Sequence, residues 1–117
     1  MEIVDTKKLQ ELLNSFANKE VYIHLETTNG AYASHFDEKV FNASAFIRNV
    51  KLRYELGKVT PDSPHRIGLK LHDNGWVYAQ GITHYELDEL GRLLMAGHGY
   101  DGKLAVALEI SEKPFAY

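Results

Sequence analysis

Residues 20–30 read EVYIHLETTNG, and this stretch decides the fold class. Apolar side chains stand at every second position from Val21 to Leu25, which is the period of a strand with one buried face. The pair Asn29-Gly30 follows, and its residue types favour the positive φ angles of a two-residue hairpin turn. The pattern therefore predicts a strand that turns at this pair and is joined by a return strand over residues 31–36.

One amphipathic helix precedes this strand. Its apolar residues recur at the i, i+3, i+4 and i+7 positions that form one stripe along a helix, namely Leu9, Leu12, Leu13 and Phe16. Asp5 is a suitable N-cap, because its carboxylate can accept a free N–H of the first turn. We predict a helix over residues 5–18 that packs its apolar stripe on a sheet.

Short strands separated by turns fill the rest of the chain. The apolar-rich segment over residues 42–57 changes the phase of its alternation at Arg48-Asn49, which indicates a bulge or a corner between two sheets. Two prolines make residues 60–64 a loop. Alternating apolar residues beyond this loop predict further strands, at 66–71, 76–80, 82–87, 93–96 and 103–111.

These elements form a single domain over residues 1–117, with the helix at 5–18, the strands within 20–111 and a C-terminal tail over 112–117. We predict a mainly β fold, either an antiparallel β-barrel or a two-sheet sandwich of about eight strands, with one N-terminal amphipathic helix. The periodicity does not choose between a barrel and a sandwich. Because no crossover helices separate the strands, parallel βαβ architecture is excluded.

The composition limits the classes of function. Thirteen Lys and Arg residues against sixteen Asp and Glu residues give a net charge of −3, so we predict no nucleic acid among the partners. The absence of cysteine excludes disulfides, cysteine-ligated metals and thiol nucleophiles. The N-terminal stretch is charged where a signal peptide is apolar, and no segment has the length of a membrane span. We therefore expect a cytoplasmic protein without a membrane partner.

Two histidines form the first candidate site. A two-residue turn at 29–30 places His24 directly opposite His35, with Glu26 on the same face. These are ligand types of zinc or iron, and a third ligand would come from His84 or His98. The alternative is a histidine pair on the solvent face that binds nothing. We predict no cofactor, and a divalent metal at His24, Glu26 and His35 is the open alternative.

The glycine-rich segment Gly97–Gly102 contains a second candidate, His98. Glycines at these positions let a backbone approach a ligand closely, but a hairpin turn needs them equally for positive φ. The favoured interpretation is a turn, with positive φ at Gly97 or Gly99 and only a secondary ligand contact for His98.

Aromatic residues on the predicted strands form a third candidate. Trp76 and Tyr78, together with Tyr85, have the size and polarity to line a ligand-stacking pocket. Packing in the core is the alternative use of such side chains.

Several strings, in this order and spacing, resemble the YojF family of small proteins from Bacillus and its relatives. They are VYIHLETT at 21–28, FIRN at 46–49, GWVYA at 75–79, LLMAGH at 93–98 and ISEKPF at 110–115. The resemblance covers nearly the whole chain. It implies no established activity, cofactor or catalytic residue. It does imply a genomic setting beside a deacetylase of the bacillithiol pathway.

The functional prediction combines this resemblance with the absence of any catalytic motif. We predict a non-enzymatic accessory or binding module whose partner is the neighbouring deacetylase or a small metabolite. The alternative is a small metal- or histidine-dependent enzyme that acts on a thiol- or sugar-type metabolite, with His24, Glu26 and His35 as its site.

Overall fold

The computed structural model describes residues 1–29 and 43–116, which form one α-helix and nine strands. The helix α1 spans Thr6–Phe16, and a short 3-10 turn spans His72–Asn74. The strands are β1 (Glu2–Ile3), β2 (Val21–Asn29), β3 (Ala43–Leu52), β4 (Tyr54–Val59), β5 (His65–Leu71), β6 (Trp76–Ile82), β7 (His84–Leu87), β8 (Leu93–His98) and β9 (Leu104–Ser111).

The predicted helix is confirmed together with its cap. The Asp5 carboxylate accepts the backbone N–H of Lys8 at 3.1 Å, and the buried stripe consists of Leu9, Leu13 and Phe16. The helix is also fixed by a polar contact, because the Tyr54 hydroxyl donates to a helix carbonyl in the core. In the described residues, no helix is long and apolar enough to cross a membrane.

Two antiparallel sheets make up the fold, which confirms a mainly β protein with one helix. The larger sheet has the strand order β1-β7-β8-β9-β2-β3, and the smaller sheet has the order β4-β5-β6. The inner faces of both sheets and the apolar stripe of α1 share one core, in which β6 contacts β8 and β9. Among the described strands, the short strand β1, which pairs with β7, was not predicted from the sequence pattern.

β2 is paired along both edges by strands other than the one predicted. Its two edges are occupied by β3 and β9, so the cross-strand neighbours of His24 are Arg48 and Glu109. The predicted return strand over 31–36 and His35, and with them the predicted pairing of His24 with His35, lie outside the described residues. An Asn-Gly pair reports only on the local turn, whereas the partners of β2 are 24 and 85 residues away.

The phase change at Arg48-Asn49 is a β-bulge, one of the two predicted alternatives. Asn49 has a φ of 56° and is skipped in the register, where Arg48 faces His24 and Val50 faces Ile23. The chain passes from the larger to the smaller sheet four residues later, at Arg53. The bulge therefore turns the Asn49 side chain away from the ladder and makes it available for another contact.

The strand predicted over 82–87 is divided at Thr83, where the chain returns to the larger sheet. At this crossing the two sheets approach so closely that a Cβ added to Gly97 would lie 1.8 Å from the carbonyl oxygen of Gly81. The prediction of positive φ at Gly97 or Gly99 is wrong, because in this turn only Gly102 has it, at +79°. Position 97 requires glycine because no space is left for a side chain, and not because its φ angle is positive.

Candidate functional site

His24 is buried, although the sequence places it on the solvent face. Only 5% of the residue is exposed, because the rings of Phe46 and Phe115 stand edge-on to the imidazole with centroids 5.0 and 6.5 Å away. Arg48 Nη1 lies 3.1 Å from His24 Nδ1, and Glu26 Oε2 lies 3.3 Å from His24 Nε2. The structure thus brings His24 together with Glu26 and adds Arg48, which was not among the predicted site residues.

The hydrogen bonds fix the tautomer of this imidazole. A guanidinium can only donate, so His24 Nδ1 accepts from Arg48 and the ring proton lies on Nε2, directed at the Glu26 carboxylate. A metal ion on His24 would have to displace one of these two partners. Among residues 1–29 and 43–116, no three His, Cys, Asp or Glu side chains form a group that could hold a metal.

The C-terminal tail packs beside His24 and is held by β3. The side chain of Asn49 forms two hydrogen bonds with the backbone of Phe115: it accepts from the N–H at 2.7 Å and donates to the carbonyl at 2.9 Å. Arg48 donates to the carbonyl of Ala116 at 2.5 Å. The Phe115 ring has the guanidinium carbons of Arg48 and Arg92 at 5.3 and 5.9 Å from its centroid.

Neither Arg48, Arg92 nor Phe115 was predicted as a site residue. The signal available in the sequence is the segment Pro114-Phe115-Ala116, which is apolar although it follows the last predicted strand. An apolar segment after the final strand indicates a tail that docks on the domain.

We predict that the loop holding Arg92 makes folding sensitive to acid. The backbone N–H of Arg92, together with its guanidinium and the N–H of Leu90, holds the pKa of Asp88 below its ordinary value of 3.8. The ionised carboxylate therefore stabilises the fold above that value, and this stabilisation is lost as the pH falls through the lower folded-state pKa. The melting temperature, followed by circular dichroism from about pH 6 to about pH 2, should fall less steeply for Asp88→Asn than for the wild type. Parallel curves would contradict the prediction.

His84 and His98 lie together on the larger sheet, away from His24. Their ring centroids are 6.1 Å apart, and the hydroxyl of Thr83 is 2.7 Å from His84 Nδ1. β9 separates β2, which carries His24, from β8. His24 faces Glu109 on β9, and Glu109 faces Leu94 on β8, four residues before His98. Neither histidine therefore supplies the predicted third ligand to His24. His98 borders an open cavity of about 640 Å³ between the two sheets.

Trp76 and Tyr78 lie on the outer face of the smaller sheet and are 43% and 51% exposed. Their rings stack with centroids 5.2 Å apart and planes 5° from parallel. Arg66 places its guanidinium carbon 5.6 Å from the centre of the Tyr78 ring and donates from Nε to Gln80 at 2.9 Å. The result is an exposed stack of one guanidinium and two aromatic rings.

Tyr85 does not belong to this stack. It lies in the larger sheet with 3% exposure, and burial raises its pKa to about 12. The predicted grouping of Tyr85 with Trp76 and Tyr78 is therefore wrong.

Gly68 positions the two rings. It faces Tyr78 across the β5–β6 ladder, and a Cβ at Gly68 would lie 3.1 Å from the Tyr78 ring and 3.4 Å from the Trp76 ring. The rings therefore lean over a strand position that has no side chain. We refer to the outer surface formed by Lys58, Arg66, Gly68, Lys70, Trp76 and Tyr78 as the stacked face.

The stacked face is positively charged although the chain has a net charge of −3. Glu55 neutralises the charge of Lys70, because its Oε1 forms an ion pair with Lys70 Nζ at 2.7 Å. Across the described part of the chain, no carboxylate forms an ion pair with Lys58 or Arg66. Two cations thus remain available beside two exposed aromatic rings.

Comparisons with known proteins agree with the resemblance seen in the sequence. The model of a family of proteins of unknown function, DUF1806, matches residues 3–115. An uncharacterised protein of Bacillus subtilis (strain 168), YojF, is 49% identical over 115 residues, which cover 98% of each chain. The crystal structure of Bacillus subtilis YojF matches with a TM-score of 0.80 and 42% identity, over 99% of this chain and 97% of that chain. The chain therefore belongs to the DUF1806 family, which is the family of YojF.

Proposed function

We propose that this protein is a non-enzymatic cytoplasmic accessory module that binds a protein partner through the stacked face. The observation that carries the proposal is the exposed stack of Arg66, Tyr78 and Trp76. Tryptophan, tyrosine and arginine are the residue types that contribute most to the energy of protein interfaces. Here all three stand together on one exposed sheet face.

A protein fits the stacked face better than other classes of partner do. Small-molecule sites are concave and enclose most of their ligand, whereas the stacked face is an open sheet surface. Nucleic acids require several phosphate contacts, and Lys58 and Arg66 are the two cations here without a carboxylate partner among the described residues. A flat surface with aromatic anchors and a few charges is typical of a protein interface.

Charge complementarity specifies the partner surface. Lys58 and Arg66 favour a partner that presents carboxylates around an apolar patch. The family resemblance supplies a specific candidate, the neighbouring deacetylase of the bacillithiol pathway. This partner follows from the genomic setting of the family, whereas the binding surface follows from the geometry of the stacked face.

Isothermal titration calorimetry of the purified deacetylase with the full chain tests the proposal. We expect a saturable complex whose affinity falls with added salt and falls further in Lys58→Glu. The matched control is Lys7→Glu, which reverses an exposed charge on α1, outside the stacked face. A complex that is equally sensitive to both substitutions would place the interface elsewhere, and the absence of a complex would remove the deacetylase as the partner.

We predict that Gly68→Ala weakens this binding without removing an aromatic ring. The new methyl group lies 3.1 Å from the Tyr78 ring, so the ring must move by a few tenths of an ångström. The unfolding free energy in urea should change by less than about 1 kcal/mol, because a tilting surface ring relieves the contact and alanine also restricts the unfolded chain. Unchanged affinity in a folded variant would show that the tilt of the rings does not matter for binding.

A further inference from the structure

The strongest unexplained feature outside the stacked face is the slot that holds Phe115, formed by His24, Arg48, Asn49 and Arg92. We infer that this slot is a peptide-binding site, occupied in this structure by the chain's own C-terminal segment, and that it accepts an extended peptide with a phenylalanine supplied from outside. The inference stands on contacts separate from those that support the proposed function.

The backbone contacts identify the ligand class as a peptide. Asn49 uses its amide oxygen and its amide nitrogen on the N–H and the carbonyl of one residue, Phe115. The two hydrogen bonds pair with the backbone donor and the backbone acceptor of one residue, as a neighbouring β-strand does when an extended peptide is added to a sheet. The bulge at Asn49 makes this possible, since its φ of 56° takes the residue out of the β2–β3 register.

The side-chain contacts select an aromatic residue. Phe115 is 5% exposed, and its ring lies within 6 Å of the guanidinium carbons of both Arg48 and Arg92. Guanidinium groups are attracted to the face of an aromatic ring. His24 adds an edge contact at 6.5 Å, so the buried imidazole contributes to the wall of the slot.

A third contact fixes the direction of the peptide. Arg48 donates from Nη2 to the carbonyl of Ala116, while its Nη1 donates to His24. The same guanidinium therefore binds the carbonyl of the residue after the phenylalanine. Its own orientation is fixed by His24, which is in turn held by Glu26. The buried histidine acts here as a positioning residue.

The segment in the slot is suited to displacement. Residues 112–116 follow the end of β9 and pair with no strand in the described ranges, so releasing them breaks no ladder hydrogen bond. A cavity of about 390 Å³ lies beside the segment, with lining residues that include Leu90, Arg92, Pro114 and Ala116. An incoming peptide therefore has room to enter while the sheets stay intact.

Competition with a synthetic peptide tests this inference. The probe is acetyl-Lys-Pro-Phe-Ala-Tyr, which repeats residues 113–117, and the protein is the full chain carrying Phe115→Ala. We expect the peptide to raise the melting temperature of this variant and to bind it at least about tenfold more tightly than the wild type, whose own tail competes. The same peptide with alanine in place of phenylalanine should not bind, and adding Arg48→Ala to the variant should abolish binding of the original probe.

Two further measurements keep the test decisive if Phe115→Ala does not fold. Phe115→Leu keeps apolar bulk in the slot but removes the aromatic ring, and it should show the same preference for the phenylalanine peptide. In the wild type, excess peptide should shift the backbone amide signals of Asn49 and Phe115 in NMR spectra. Equal binding of the two peptides, or no shift of these amides at millimolar peptide, would overturn the inference. Neither result depends on Trp76, so the proposed function is tested separately.

Discussion

Gly97→Ala is expected to lower the free energy of unfolding by about 3 kcal/mol or more. The new Cβ would lie 1.8 Å from the carbonyl oxygen of Gly81, a backbone atom that cannot rotate away. Relief requires the strands β6 and β8 to separate, which exposes part of the core between the two sheets. Urea unfolding followed by circular dichroism measures the change through the midpoint and slope.

The matched control is Gly99→Ala, two residues further along the chain and just past the end of β8. Its Cβ would meet the side chain of Asp101 at 3.0 Å, and a surface carboxylate can rotate away. This control should cost less than about 1 kcal/mol. If the two substitutions cost the same, the close approach of Gly97 to Gly81 does not limit packing of the two sheets.

Trp76→Ala is expected to weaken binding of the deacetylase by about 30-fold or more, which corresponds to about 2 kcal/mol. The indole is 43% exposed, so the substitution removes a contact surface and leaves the core unchanged. Loss of the ring stack should lower the free energy of unfolding by only about 1 kcal/mol. Calorimetric titration measures the affinity, and urea unfolding measures the stability.

Tyr100→Ala is the matched control for Trp76→Ala. Tyr100 is 96% exposed and lies in the turn between β8 and β9, away from the smaller sheet. Its removal should leave the affinity unchanged. Equal losses for the two variants would mean that the effect comes from general surface hydrophobicity and not from the stacked face.

Features encoded by neighbouring residues were predictable from the sequence. The helix α1 follows from a 3.6-residue period and an aspartate cap, and the buried face of β2 follows from strict alternation. The bulge at Asn49 follows from a change of phase within one strand. Each of these features depends on residues within about one turn or one strand of the position that it determines.

The pairing of strands was not predictable in the same way. Asn29-Gly30 favours a local hairpin, but β2 pairs with β3 and β9, which come from distant parts of the chain. Local turn preference contributes about 1 kcal/mol, whereas burying the β2 face against two strands contributes several times as much. Register and sheet order therefore depend on long-range packing that a periodicity does not report.

In the candidate sites, too, the contacts between residues close in sequence were predictable and the contacts between distant residues were not. Stacking of Trp76 on Tyr78 follows from their i, i+2 spacing on a strand, while the place of Tyr85 depends on which sheet its strand joins. His24 and Glu26 share a face for the same reason of spacing. The contacts of Arg48 with His24 and with the tail span 24 and 68 residues, and no local pattern predicts them.

A fluorine NMR spectrum of the chain labelled with 5-fluorotryptophan tests the central claim most directly. Trp76 is the single tryptophan of the sequence, so the spectrum has one signal and it comes from the stacked face. Unlabelled deacetylase added to saturation should shift or broaden this signal, because the partner desolvates the indole. A signal that stays unchanged at saturating deacetylase would contradict the claim that this protein binds its partner through the stacked face.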